Sequence, residues 1–148
     1  MSATLITPFG PVSLRECDGV LTHLDWHPGQ GAATPLITEA LRQIAAYFDK
    51  RLTEFDLPLD WGQGIHAPVR RAMAAIPLGE TRSYGDLARI VGSPAQAVGQ
   101  ACGANPLPIL IPCHRVLGRA GLGGFSAPGG VETKVALLRH EGAAGLLI

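Results

Sequence analysis

Residues 112–115 read Pro-Cys-His-Arg, a thiol beside the side chain most often used to move protons. From Leu107 to Ile111 every residue before this tetrad is apolar or proline. A cysteine kept only for packing would have inert neighbours on both sides. The chemistry open to this pair is nucleophilic: the imidazole takes the thiol proton and the thiolate attacks an electrophilic carbon. Pro112 suits the first position of a helical turn, which would put Cys113 near the positive end of a helix dipole and lower its pKa. Adjacent helical side chains diverge by about 100°, so His114 is expected to reach the thiol through an intervening water. A third group should orient the imidazole. VETKVALLRHEG, with an apolar stripe at Val131, Val135 and Leu138, stops at Gly142 and leaves Glu141 in its last turn. There a carboxylate opposes the helix dipole by about 0.3–1 kcal/mol, which calls for a specific partner such as His114 or Arg115. The intervening GRAGLGGFSAPGG carries Phe125 and Ser126. It reads either as a lid over a small pocket or as a solvent loop anchored by one Phe.

Such a centre needs a scaffold, and the first 60 residues read as one. TLITPF, VSLREC and VLTHLDW are strand-like runs separated by Gly10-Pro11 and by Asp18-Gly19, a strong hairpin signal. Thr34 and Pro35 suit the N-cap and first position of a helix whose Leu36, Ile37, Ala40, Leu41, Ile44 and Phe48 form one apolar stripe. TEFDLPLDWGQGIHAP breaks the periodicity and sets a boundary near residue 60. Beyond it, helices are predicted from Pro68 to Ile76, Ser83 to Val91 and Pro94 to about Ala104. Ser83 and Asp86 form a capping-box-like start, Gly92 suits the C′ position, and Ser93-Pro94 caps and starts the next helix. Two helices joined so tightly resemble a helix-turn-helix, although an αα corner in a bundle has the same pattern. In PAQAVGQACGA the long side chains are Gln96 and Gln100, and each interior glycine costs about 1 kcal/mol relative to alanine. Such a helix reads little sequence in a major groove. Its smooth face permits a close backbone approach, either to a neighbouring helix or to the narrow groove of DNA.

A chain of 148 residues suffices for one average domain or two small lobes, and 47% hydrophobic with 16% charged residues argues against disorder. No apolar run approaches the roughly 18–20 residues of a membrane span, and MSATLITPFG lacks a signal-peptide core, so a cytoplasmic location is expected. Cys17, Cys102 and Cys113 are an odd number without CxxC spacing, which argues against a disulfide framework. Cys17, His23, His27 and His66 are the candidates for a metal site, but lone His residues on strands and loops usually belong to surface or core; no metal is expected. The formal net charge is zero, yet residues 1–60 hold four Lys/Arg against eight Asp/Glu and residues 61–148 hold eight against four. Halves of net −4 and +4 direct any polyanion to the C-terminal half.

From Pro77 to Gly142 the chain resembles the O6-alkylguanine-DNA alkyltransferases, also called methylated-DNA-protein cysteine methyltransferases. GETRSYGDLA, AVGQACGANPLPILIPCHRVLG and LLRHEG occur in the family's order and near its spacing, and TPFGPVSL with FDLPL resembles its N-terminal lobe. The resemblance implies an α+β fold: an N-terminal ribonuclease-H-like β lobe, residues 1–60, and a C-terminal helical lobe, residues 61–148, with a winged helix-turn-helix-like motif. It implies a DNA-repair protein that flips O6-alkylguanine, or O4-alkylthymine, and accepts the alkyl group irreversibly on Cys113. His114 would then act through water as base, Glu141 would orient it, and Asn105 would hold the turn that bears the thiol. Tyr84 and Ser126 resemble the groups that hydrogen-bond the flipped base and assist its departure. Main chain at Cys113 and Val116 would face the amino group, and Phe125 stands where the family often has Tyr. The implied DNA contacts are Ser93, Gln96, Ala97, Gly99, Gln100 and Arg115. The implied partner is alkylated DNA, met by a monomer without cofactor.

Gln96 stands where the family places an arginine finger, and the turn GSPAQAVG is about two residues shorter than usual. Single-stranded or mismatched substrate is therefore the expected preference. Arg70 replaces a common Trp, and Ile65 and His66 also depart from the pattern. Two other classes share parts of it: a lesion-binding module that transfers nothing, and a cysteine enzyme that turns over a small molecule. Stoichiometry separates the three.

Overall fold

The computed structural model describes residues 4–118, 125 and 129–143, and the chain divides into two compact units, Met1–Asp60 and Trp61–Ile148. In the first, β1 (Thr4–Thr7), β2 (Gly10–Cys17) and β3 (Val20–Asp25) form an antiparallel meander in that order. Asp18 and Gly19 join β2 to β3 inside the Cys17–Val20 pair, both at positive φ (51° and 81°), as a two-residue I′ hairpin requires. Helix α1 (Pro35–Phe48) packs against β1 and β2. Thr34 accepts from the Ile37 amide as N-cap, and Ile37, Ala40, Leu41 and Ile44 are buried, as are Val12 and Leu14 of β2 and Leu21 and Leu24 of β3. The stripe ends differently from expectation, with Tyr47 buried and Phe48 half-exposed. Gln43 is buried as well, because its amide bonds both main-chain groups of Asp56. That pair holds the segment leading to Leu59, which bridges Leu21.

The second unit contains α2 (His66–Ala74), β4 (Arg82–Ser83), α3 (Tyr84–Val91), α4 (Ala95–Gly103), β5 (Val116–Leu117) and α5 (Val131–His140). Helix α2 starts two residues before the expected Pro68, which therefore sits in the first turn, where no intrahelical amide bond is lost. The capping box of α3 is complete: Ser83 Oγ accepts from the Asp86 amide and the Asp86 carboxylate from the Ser83 amide. Gly92, at φ 71°, ends α3 in the left-handed region. Ser93 does not cap α4; Pro94 occupies the N-cap without a side-chain bond, so α4 begins at Ala95. Val69, Met73, Leu87, Val98 and Ala101 are buried where α2, α3 and α4 meet. The two glycines of α4 differ in their surroundings. Among the described residues, a Cβ on Gly99 would meet Tyr84 Cδ1 at 3.9 Å, an ordinary contact, and one on Gly103 would meet nothing within 4 Å. Gly99 therefore faces the first residue of α3, whereas Gly103 serves no such contact among the described residues.

The parallel pairs Arg82–Val116 and Ser83–Leu117 tie the start of α3 to the residues just after the cysteine turn. In α5 the expected apolar stripe is corrected: Val131 is exposed, and the buried residues are Thr133, Lys134, Leu137 and Leu138. Lys134, Leu137, Leu138 and Glu141 follow an i, i+3, i+4, i+7 pattern and share one face. Among the described residues no helix is long and apolar enough to cross a membrane.

Candidate active site

Asn105 to Pro112 has no regular structure, yet Leu107, Ile109, Leu110 and Ile111 are buried. Buried irregular backbone must find hydrogen-bond partners, and Asn105 supplies two. Its Nδ2 donates to the Ile111 carbonyl at 2.9 Å and its Oδ1 accepts from the Leu107 amide at 3.1 Å. Tight turns close the rest, from Ile111 N to Leu107 O at 2.8 Å and from Cys113 N to Ile111 O at 2.7 Å. Ile109 sits at φ 72°, a conformation that a β-branched residue adopts only when its surroundings force it. Cys113 then opens a 3-10 turn of three residues, Cys113–Arg115, with Pro112 as its cap. This corrects the expectation of a helix dipole at the thiol, since so few peptide units sum to little.

Other groups act on the thiol instead. Burial pushes the Cys113 pKa up, while the Asn105 amide, the Lys134 ammonium and the backbone N–H groups of Cys113 and His114 pull it down. The side chain keeps partial exposure. Lys134 was not among the residues singled out from the sequence. It is fully buried, donates from Nζ to the Val116 carbonyl at 2.7 Å, and burial lowers its pKa to about 8 against the pull of Cys113 and Cys102. The signal that could have found it is its spacing, seven residues before Glu141 on the face that carries Leu137 and Leu138.

Behind the thiol, His114 is fully buried and its Nε2 lies 2.6 Å from Glu141 Oε2. Glu141 also receives Arg115 Nε at 2.8 Å and Nη2 at 3.0 Å. Burial alone would raise the Glu141 pKa, but the bonds from His114 and Arg115 bring it down to about 2. An ionised Glu141 can only accept, so Nε2 carries the imidazole proton. Desolvation lowers the His114 pKa despite Glu141, which keeps the ring neutral at pH 7. Its Nδ1 is then a bare lone pair, buried and without a partner among the described residues.

Arg115 is corrected as an expected DNA contact. It is buried, and besides Glu141 its Nη1 donates to the Ile76 carbonyl at 2.6 Å. A guanidinium committed to three internal bonds is not available to a phosphate.

Tyr84, the first residue of α3, lies within electrostatic range of both Cys113 and Cys102; burial first, then these thiols, raise its pKa. Cys102, on α4, is pushed up to about 12, chiefly by burial, and stays a thiol. Val116 is buried with its carbonyl on Lys134 and its amide on the Cys113 carbonyl, which fixes the main chain beside the thiol. Phe125 is half-buried, and Ser126 lies outside the described residues. An open groove of about 550 Å³ runs beside Tyr84, lined also by Ser83, Gly85, Arg89, Gln96 and Gly99. Gln96 and Gln100 are exposed, while Ser93 and Ala97 are half-buried. Among the described residues no group of three or more His, Cys, Asp or Glu could hold a metal ion.

Comparison with known proteins assigns this arrangement a family. The domain described as "6-O-methylguanine DNA methyltransferase, ribonuclease-like domain" matches residues 2–61, and its "DNA binding domain" counterpart matches residues 65–143. The methylated-DNA–protein-cysteine methyltransferase of Mycobacterium tuberculosis is 42% identical, over 93% of this chain and 90% of that one. The constitutive enzyme of Bacillus subtilis is 38% identical over 93% of each. A crystal structure of Mycobacterium tuberculosis OGT in complex with DNA superposes with a TM-score of 0.80 at 41% identity, covering 95% of this chain and 92% of that one. Both domains, and relatives alike over nearly their full length, place the chain in the methylated-DNA–protein-cysteine methyltransferase family.

Proposed function

We propose that this protein removes the alkyl group from O6-alkylguanine in DNA, and from O4-alkylthymine, by transferring it to Cys113. The observation that carries this reading is the array behind the thiol: a neutral His114 with a bare Nδ1, fixed by an ionised Glu141 that Arg115 also holds. In this mechanism a water passes the Cys113 proton to His114 Nδ1. The sulfur forms a bond to the alkyl carbon, the carbon–oxygen bond breaks, and its electron pair stays with the base. The Tyr84 hydroxyl donates to the departing base, as Ser126 does in the family pattern, and Lys134 keeps positive charge beside the thiolate. Asn105 holds the turn. A thioether has no good leaving group, so each chain acts once.

Residues 1–60 serve as scaffold and residues 61–148 as the working lobe. The small residues of α4 support DNA as the partner, since Ala97, Gly99 and Gly103 keep its side chains short and let backbone approach a minor groove closely. Ser93, Gln96, Ala97, Gly99 and Gln100 are the contacts we assign to it; Arg115 is not one of them. A neutral Gln96 leaves no planar cation to fill the space of an extruded base, so unpaired or mismatched lesions are favoured over paired ones. Incubation with an O6-methylguanine oligonucleotide tests the reading. The expected product is one methyl group on Cys113 and none on Cys113→Ser. Binding of the lesion without transfer would favour a damage-flagging module instead.

A further inference from the structure

The groove beside Tyr84 is lined by a cation that the mechanism does not use, Arg89 of α3, together with the neutral Gln96 of α4. The Arg89 side chain is 75% exposed and pairs with Asp86. An exposed i, i+3 pair contributes little to stability, so the guanidinium exchanges it readily for a stronger acceptor. Asp86 does not follow, because its carboxylate is anchored to the Ser83 amide in the capping box. Gly85 lies beside the guanidinium, where a Cβ would make only ordinary contacts, 3.8 Å from Arg89 Nη1 and 3.6 Å from Ser83 Oγ. Its φ is not positive, so the backbone itself does not require glycine at this position. Arg82, itself paired with Glu80 at 3.0 Å, borders Arg89 and Asp86 in an adjoining hollow.

We propose that Arg89 binds a backbone phosphate beside the extruded nucleotide, supplying from α3 the charge that Gln96 lacks on α4. The proposal rests on DNA being the partner. A guanidinium matches phosphate geometry with two donors, and this one stands in the groove that reaches Tyr84. It anchors the strand without filling the vacated stack, so the preference for unpaired lesions remains.

The test compares native protein, Arg89→Gln and Arg89→Lys. Affinity for a duplex carrying one O6-methylguanine is followed by fluorescence anisotropy across a salt series, and alkyl uptake is timed on that duplex and on free O6-benzylguanine. Arg89→Gln should weaken duplex binding about tenfold at low salt and reduce the slope of log affinity against log salt by about 1. The ratio of duplex to free-base uptake should fall with it, and Arg89→Lys should keep the native slope. Unchanged slope and ratio in Arg89→Gln would overturn the phosphate contact. A slope that depends on Arg89 in a protein that takes up no alkyl group would support the contact and sink alkyl transfer. Absence of any duplex binding would overturn both.

Discussion

Lys134→Met should make the protein more stable and its thiol less reactive. The Lys134 pKa is lowered from 10.5 to about 8, chiefly by burial. A displacement of that size corresponds to about 3 kcal/mol of stability forgone at pH 7 in order to keep a charge inside. Methionine matches the stem and removes the charge, but leaves the buried Val116 carbonyl without its donor, which costs about 1 kcal/mol. The variant should therefore be about 2 kcal/mol more stable at pH 7. Because the folded pKa is the lower one, the unfolded chain binds more protons between pH 8 and 10.5, and native stability recovers across that window. The advantage of Lys134→Met should shrink there and reverse above it. Loss of the ammonium should also raise the Cys113 pKa, since Lys134 is one of the groups holding it down. Urea unfolding of both proteins from pH 6 to 11, with the pH profile of thiol alkylation, measures both effects. A variant less stable than native at pH 7, with an unaltered thiol profile, would refute the reasoning.

Glu141→Gln should destabilise the protein by about 3–5 kcal/mol in thermal or urea unfolding, because Arg115 would keep a buried charge without its anion. In the native protein the folded Glu141 pKa, about 2, lies below the ordinary 4.5, so its contribution of about 3 kcal/mol is complete above pH 4.5 and lost as pH falls toward 2. His114, also lowered, adds to the acid loss below its ordinary 6.5. Asn105→Ala should cost about 2–3 kcal/mol for two buried bonds in the loop before Cys113, and should slow thiol alkylation at pH 7 more than at pH 10, since the Asn105 amide helps hold the thiol pKa down. Gln96→Arg should narrow the gap between single-turnover rates on single-stranded and duplex oligonucleotides; unchanged rates on both would mean that another residue does the finger's work.

Some of this arrangement can be read directly from residue types. A carboxylate in the last turn of a helix opposes the dipole, and that misfit pointed from Glu141 to His114 or Arg115; it bonds both. The Asp18-Gly19 hairpin and the Ser83–Asp86 box were legible because short-range backbone chemistry determines them. Lys134 was not, because a periodicity search treats lysine as the edge of an apolar stripe. Only the fold shows that both polar ends of the stripe, Lys134 and Glu141, turn inward. The extent of the turn at Cys113 was hidden for a related reason. It depends on how Asn105 and the buried loop satisfy their own backbone as well as on Pro112, whose carbonyl accepts from the Arg115 amide. The burial of Arg115 depends in turn on Ile76, far away in sequence.

The central claim is that a single thiol, Cys113, accepts one alkyl group from a guanine in DNA and keeps it. Intact-mass spectrometry after incubation with excess O6-methylguanine oligonucleotide, followed by peptide mapping, tests it most directly. The account predicts one methyl group per chain, located on Cys113, with the repaired oligonucleotide formed in equal amount. More oligonucleotide repaired than protein present, a methyl group on another residue, or an unmodified chain would contradict it.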